Sequence, residues 1–153
     1  MSLPPEIRIT PAQPRDAAAV RELSRAAYAK WVPVIGREPL PMAANYEVAV
    51  RNHRIELLHL DGALAALIEM IPQPGHLLIE NVAVAPAFQG RGLGRMLMAH
   101  AEQIAAAGGY GRIKLYTNRM FAANVTLYAR LGYAVDREEV SALGTTVYMS
   151  KRV

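Results

Sequence analysis

The chain has 153 residues, the usual size of one compact domain, and its 52% hydrophobic against 20% charged residues supports a buried core and excludes a disordered chain. It has no cysteine, which excludes disulfides, cysteine-ligated zinc or iron–sulfur centres and any mechanism that parks an acyl group on a thiol. The formal net charge of +4, mostly arginine, suits a phosphate-bearing small molecule but is too mild, without a clustered patch, to point to nucleic acid.

Met1 to Thr10 lacks the apolar stretch of a secretory signal, and no later stretch approaches the roughly 18 uninterrupted apolar residues of a membrane span. The expectation is a soluble cytoplasmic protein with no membrane partner, folded as a single domain over residues 1–153.

Ile7, Ile9 and Thr10 predict a short first strand, ended by Pro11 and Pro14. From Asp16 to about Lys30, Val20, Leu23, Ala27 and Trp31 recur at three- and four-residue spacing, which predicts a helix with one buried stripe. Trp31 to Pro41 holds three prolines and a glycine and should be an ordered loop. A shorter helix is expected from about Met42 to His53. Next, Ile55–Leu60 and Leu64–Ile71 flank Asp61-Gly62, a hairpin signal because both turn positions need positive φ.

After the turn Pro72–Gly75, the segment from His76 to Pro86 reads as the fourth and most central strand. Leu93, Leu97, Ala101 and Ile104 then repeat at helical spacing as far as Gly108-Gly109. Arg112–Thr117 reads as strand five, Phe121–Leu131 as a helix closed by Gly132, Tyr133–Asp136 as strand six and Thr146–Ser150 as strand seven. The fold class is α/β (α+β): a mixed, mostly antiparallel sheet of about seven strands flanked by about four helices.

The most informative stretch, Gln89-Gly90-Arg91-Gly92-Leu93-Gly94, lies between the fourth strand and a helix. A glycine-rich turn there exposes backbone N–H groups at the positive end of a helix dipole, which makes an anion site. The Rossmann pattern fails in either register, because Arg95 or Leu97 stands where the third glycine belongs, and no Gly-Lys-Ser/Thr follows for a P-loop. Q-x-x-G-x-G fits, as Gln89, Gly92 and Gly94. Here the chain resembles the GNAT superfamily of N-acetyltransferases, in which that motif cradles the pyrophosphate of acetyl-coenzyme A. The run Asn124 to Tyr133 looks like a second signature of the same superfamily, with Asn124 and Tyr128 four apart on one helix face.

The resemblance spans nearly the whole chain in element order, with its specific motifs at residues 80 to 94 and 117 to 133. It implies an acetyl-coenzyme A-dependent N-acetyltransferase acting on a primary amine of a small molecule or peptide. Val82, Ala83 and Val84 would line the pantetheine arm, bound through main chain as an added strand. Gln89, Gly90, Arg91, Gly92, Leu93, Gly94 and Arg95 would hold the phosphates, Asn124 the pantetheine amides, and Asn118 would be a weaker companion. Tyr128 would protonate the leaving thiolate, an assignment that suits a phenol near pKa 10. Other acyl donors, or a coenzyme A-binding sensor without turnover, are alternatives that the phosphate motif does not separate.

Because an amine is mostly protonated at neutral pH, a base is needed, and Glu80 is the candidate. By the period of two it shares a strand face with Val82 and Val84 and points to the cleft; the alternative is an ordinary rim or salt-bridging carboxylate. On the acceptor side Tyr28, Trp31, Arg37 and Glu38 are candidates by position, with core packing for the two aromatics and solvation for the two charges as alternatives. His76 is an alternative base. The four histidines show no metal-ligand spacing, so no metal is expected, and no GxSxG elbow appears. The segment Glu138–Gly144 and the last strand are candidates for a homodimer contact.

Overall fold

In a computed structural model, which describes residues 3–153, one sheet carries seven strands. These are β1 (Ile7–Pro11), β2 (Arg54–Leu60), β3 (Ala63–Gln73), β4 (His76–Val84), β5 (Arg112–Asn118), β6 (Ala134–Ser141) and β7 (Gly144–Arg152). Their order in space is β1-β2-β3-β4-β5-β7-β6, so β4 is the middle strand, as its apolar run predicts. Among the described residues only β4 and β5 pair in parallel. That pairing needs a crossover, supplied by helix α5 (Leu93–Ala107). The Asp61-Gly62 hairpin has φ of 51° and 83°, the positive values its sequence predicts.

Helices cover both faces. On one, Leu97, Met98 and Ala101 of α5 pack on Leu58, Ile68, Met70, Leu77 and Ile79. On the other, Val20 and Leu23 of α1 (Ala17–Tyr28) and Tyr46 and Val50 of α4 (Tyr46–Asn52) pack on Ile55, Leu57, Leu67 and Ala83. Helix α6 (Ala122–Arg130) adds Tyr128 to the α5 side. No helix of the described residues is long and apolar enough to cross a membrane.

The structure corrects four expectations. The segment 31–41 is not all loop: it contains the single turns α2 (Val32–Ile35) and α3 (Leu40–Ala43), each with its proline in the first turn, where a missing N–H costs nothing. Helix α4 starts at Tyr46 rather than Met42, because Ala44 is extended and the Asn45 side chain caps the helix by accepting from the Val48 N–H. Strands β6 and β7 run further toward each other than their apolar residues indicate, so Glu138–Ser141 is strand. Every β6 residue is exposed, so this edge strand carries charge on both faces and no alternation to read.

The fourth correction bears on the site. Along β3 and β4, Glu69 pairs with Asn81 and Met70 with Ile79, which leaves Glu80 as an extra residue, a β-bulge. The bulge resets the side-chain alternation. Leu77 and Ile79 before it and Val82 and Val84 after it all belong to the α5 side, whereas Glu80 faces the cleft beside Asn81. Glu80 therefore does not share a face with Val82 and Val84.

Candidate active site

Strands β4 and β5 pair only from His76–Arg112 to Ile79–Leu115. Beyond that level β4 continues to Val84 while Tyr116 to Asn118 pair with β7 alone, so the two strands part and leave a gap. The Ala85 N–H bonds to the Ala65 carbonyl, toward β3. By alternation, Val82 and Val84 turn their backbone groups to the gap. Their carbonyls are engaged there: Val84 O accepts from Gln89 Nε2 at 3.0 Å and Val82 O from the Tyr28 hydroxyl at 3.1 Å. Ala83 instead faces β3 with its backbone and is buried under α1.

The turn after β4 has the form its glycines predict. Gly90 and Gly92 sit at φ of 79° and 78°, and Gly92 is the N-cap of α5. A cleft of about 390 Å³ opens beside it, lined by every expected cofactor residue except Arg91 and Asn118. The Arg91 guanidinium lies over the Phe88 ring, 5.4 Å from its centroid. Asn118 lines the neighbouring cleft, and its Oδ1 accepts from the Met120 N–H at 2.9 Å, fixing the turn into α6. The site shape fits a diphosphate ester: two glycines at which an added Cβ would meet nothing within 4 Å, an open helix N-terminus, and Arg95 and Lys30 alongside.

A second cleft, about 370 Å³, lies on the other side of the gap under α4 and the turns that precede it. The two clefts share Tyr28, Val82, Asn124 and Tyr128. The Tyr128 hydroxyl makes no hydrogen bond among the described residues, and burial pushes its pKa up to about 12. Glu80 lines the second cleft, with its Oε1 accepting from the Tyr116 hydroxyl at 2.6 Å.

Of the expected acceptor residues, Tyr28 and Arg37 line this cleft. Trp31 does not: it stacks on Phe121, 4.6 Å between centroids, and lines the first cleft. Glu38 does not either, being paired with Arg25 at 2.8 Å in a largely exposed contact that ties the proline segment to α1. His76, the alternative base, lines a separate groove with Lys114 and Tyr148 and does not line this cleft; burial and Lys114 lower its pKa.

Sequence reading missed Glu69, His53, Tyr46, Asn81 and Tyr116, all of which line the second cleft. Asn81, 3% exposed, accepts from the Tyr28 hydroxyl at 2.8 Å and donates to Ser24 and Tyr46, joining β4 to both covering helices. Glu69 lies 2.6 Å from His53 Nδ1; burial raises its carboxyl pKa and His53 offsets part of that. The available signal was a single acid in the apolar run from Ala63 to Ile71.

Residues 18–133 match the model of the acetyltransferase (GNAT) family. The chain is similar to N-alpha-acetyltransferase 80 of Mus musculus, 40% identical over 82 residues, which are 54% of this chain and 24% of the relative. It is also similar to mycothiol acetyltransferase of Nocardia farcinica, 37% identical over 125 residues, 80% of this chain and 38% of the relative. Streptothricin acetyltransferase of Streptomyces lavendulae is 37% identical over 76 residues, 48% of this chain and 40% of the relative. The chain thus spans between 24% and 40% of the length of these curated relatives. Its fold is that of the PaiA N-acetyltransferase of Thermoplasma acidophilum, solved in complex with coenzyme A, with a TM-score of 0.80 at 18% identity over 97% of this chain and 99% of that one. The ribosomal-protein-S18-alanine N-acetyltransferase of Escherichia coli superposes with a TM-score of 0.75 at 19% identity, over 97% and 94%.

Proposed function

The chain belongs to the acetyltransferase (GNAT) family, and from that premise we propose that it transfers the acetyl group of acetyl-coenzyme A directly to a primary amine of a small molecule or peptide. The observation that carries this reading is the meeting of two clefts at Tyr128 and Val82, above the gap between β4 and β5. One cleft suits a phosphate ester and the other an amine. With no cysteine in the chain, no cysteine thiol can relay the acetyl group, which favours direct attack by the amine.

Acetyl-coenzyme A supplies the activated thioester. The backbone N–H groups from Gly90 to Gly94, with Arg95, would hold its phosphates, and the gap-facing N–H groups of Val82 and Val84, with Asn124, its amide-bearing arm. Either valine N–H also suits the thioester oxygen, whose charge grows in the transition state. Glu80 takes the proton of the incoming ammonium, through water, while Tyr116 fixes the carboxylate. Tyr128, kept a neutral phenol by burial, gives its proton to the departing sulfur and regains one from the second proton that the acylated nitrogen sheds.

Thermal unfolding with acetyl-coenzyme A, NADH or ATP tests the proposal. At about 100 times the dissociation constant, native-state binding adds about 2.7 kcal/mol, a rise of several degrees for this size of protein. A selective shift with acetyl-coenzyme A, followed by release of free coenzyme thiol on adding amines, supports transfer. No shift, or an equal shift with NADH, overturns it.

A further inference from the structure

Glu69 has no part in the chemistry just described, yet it occupies an expensive position. It lies within β3 between Ile68 and Met70, both 0% exposed, and is itself 4% exposed. A carboxylate in such surroundings is costly unless it is paired. Among the described residues its side-chain partner is His53, which reaches Oε2 only, and the His53 side chain is 30% exposed. Burial outweighs that contact and raises the Glu69 carboxyl pKa, so the position has room for further positive charge.

The register aims Glu69 at the acceptor. It pairs with Asn81, next to the bulged Glu80, so two carboxylates from adjacent strands enter one cleft from one face of the sheet. Glu69 lies one strand further from the β4–β5 gap, on the side away from Tyr128. Neighbouring strands are about 4.8 Å apart, a step that a short aliphatic chain spans. Tyr28, Tyr46 and Tyr116 wall this region with phenol rings, which suit methylene groups and cations alike. The Arg37 guanidinium, also at the cleft, is turned to the Leu143 and Glu38 carbonyls at 3.0 and 3.2 Å.

We propose that the acceptor is a short diamine or an equivalent dication, whose reacting nitrogen lies at Glu80 and whose second, unreacted cation is held by Glu69. The inference rests on the acetyl-transfer reading and names the class of amine within it. Glu69 is a specificity residue here: it binds the far end of the acceptor and takes no proton from the reacting one.

Putrescine and n-butylamine differ only in the distal ammonium and are the test pair. The wild-type protein should favour putrescine by about tenfold or more in kcat/KM, the gain expected of a charge-assisted hydrogen bond in a partly dry site. Calorimetry on the free and coenzyme A-loaded protein should give the same order of affinities. Glu69→Gln should bring the ratio near one. Glu69→Asp, which retains the charge but retracts it by one methylene, should move the preference from putrescine toward cadaverine. Equal kinetics and equal affinity for the two amines overturn the inference, as does a Glu69→Gln protein that folds and keeps the wild-type ratio. If neither variant folds, the wild-type ratio decides. Acetylation of both amines without preference sinks the dication alone, whereas absence of any acetyl-coenzyme A binding sinks the transferase reading and leaves the affinity comparison to judge Glu69.

Discussion

The Tyr116 hydroxyl donates a 2.6 Å hydrogen bond to Glu80 Oε1 across strands whose pairing has already ended at Ile79 and Leu115. Burial and the Glu80 contact both raise the Tyr116 pKa, so the phenol stays a donor and one carboxylate oxygen is held in place. Tyr116→Phe should lower kcat by about tenfold while barely altering the KM for acetyl-coenzyme A. Glu80→Gln should cost more; a variant that keeps full turnover would return the base role to bulk water. Because Tyr116 acts through Glu80, the double variant should be no slower than Glu80→Gln, and additive losses would give Tyr116 a role of its own.

Tyr128→Phe should keep coenzyme binding and lose about a hundredfold or more in turnover, the scale of a missing general acid. With its pKa at about 12, Tyr128 should also contribute no falling limb to the rate profile in the mildly alkaline range. Full turnover in the phenylalanine variant would remove Tyr128 from the acid role.

Gly92→Ala tests the cradle. The position needs φ near 78°, which costs a residue with a Cβ about 1 kcal/mol, although the Cβ itself meets nothing within 4 Å. A modest fall in Tm together with a smaller stabilisation by acetyl-coenzyme A is expected. A fall in Tm with an undiminished ligand shift would mean that the glycine serves the turn only.

Glu69 should leave a mark on stability against pH. Its folded-state pKa lies above the ordinary 4.5, so the folded protein holds this proton more tightly than the unfolded chain. The contribution of Glu69 to stability is therefore greatest below 4.5 and declines as pH rises through the raised folded value. Glu69→Gln removes that decline, so calorimetric Tm differences should move in favour of the variant as pH rises across this window. A difference that stays flat with pH would show that His53 already compensates for the burial.

Much of this was legible in the chain. The apolar run from His76 and the glycines from Gly90 to Gly94 reveal a strand, a turn and a helix start because each depends on local backbone preference. Asn124 and Tyr128 are picked out by the family resemblance and put on one helix face by their spacing, and both line the two clefts. What was not legible depends on partners distant in sequence. Trp31 goes to Phe121, Glu38 to Arg25 and Glu69 to His53, and no periodicity records such choices. Beyond Asp136, strand β6 carries charge on both faces and offers no apolar rhythm that would extend the predicted strand.

The bulge at Glu80 has the widest consequence. Remove that one residue and Ile79, Asn81 and Val82 alternate strictly, so every other side chain of β4 keeps the face it has now. The carboxylate is thus an interpolation into a strand that would pack equally well without it. A bulge also bends the strand that carries it, and this one sits where β4 departs from β5. Deletion of Glu80 should yield a folded protein in which β4 and β5 zip together further along their length. Glu80, the base in the proposed reaction, would then also be the wedge that keeps the sheet open.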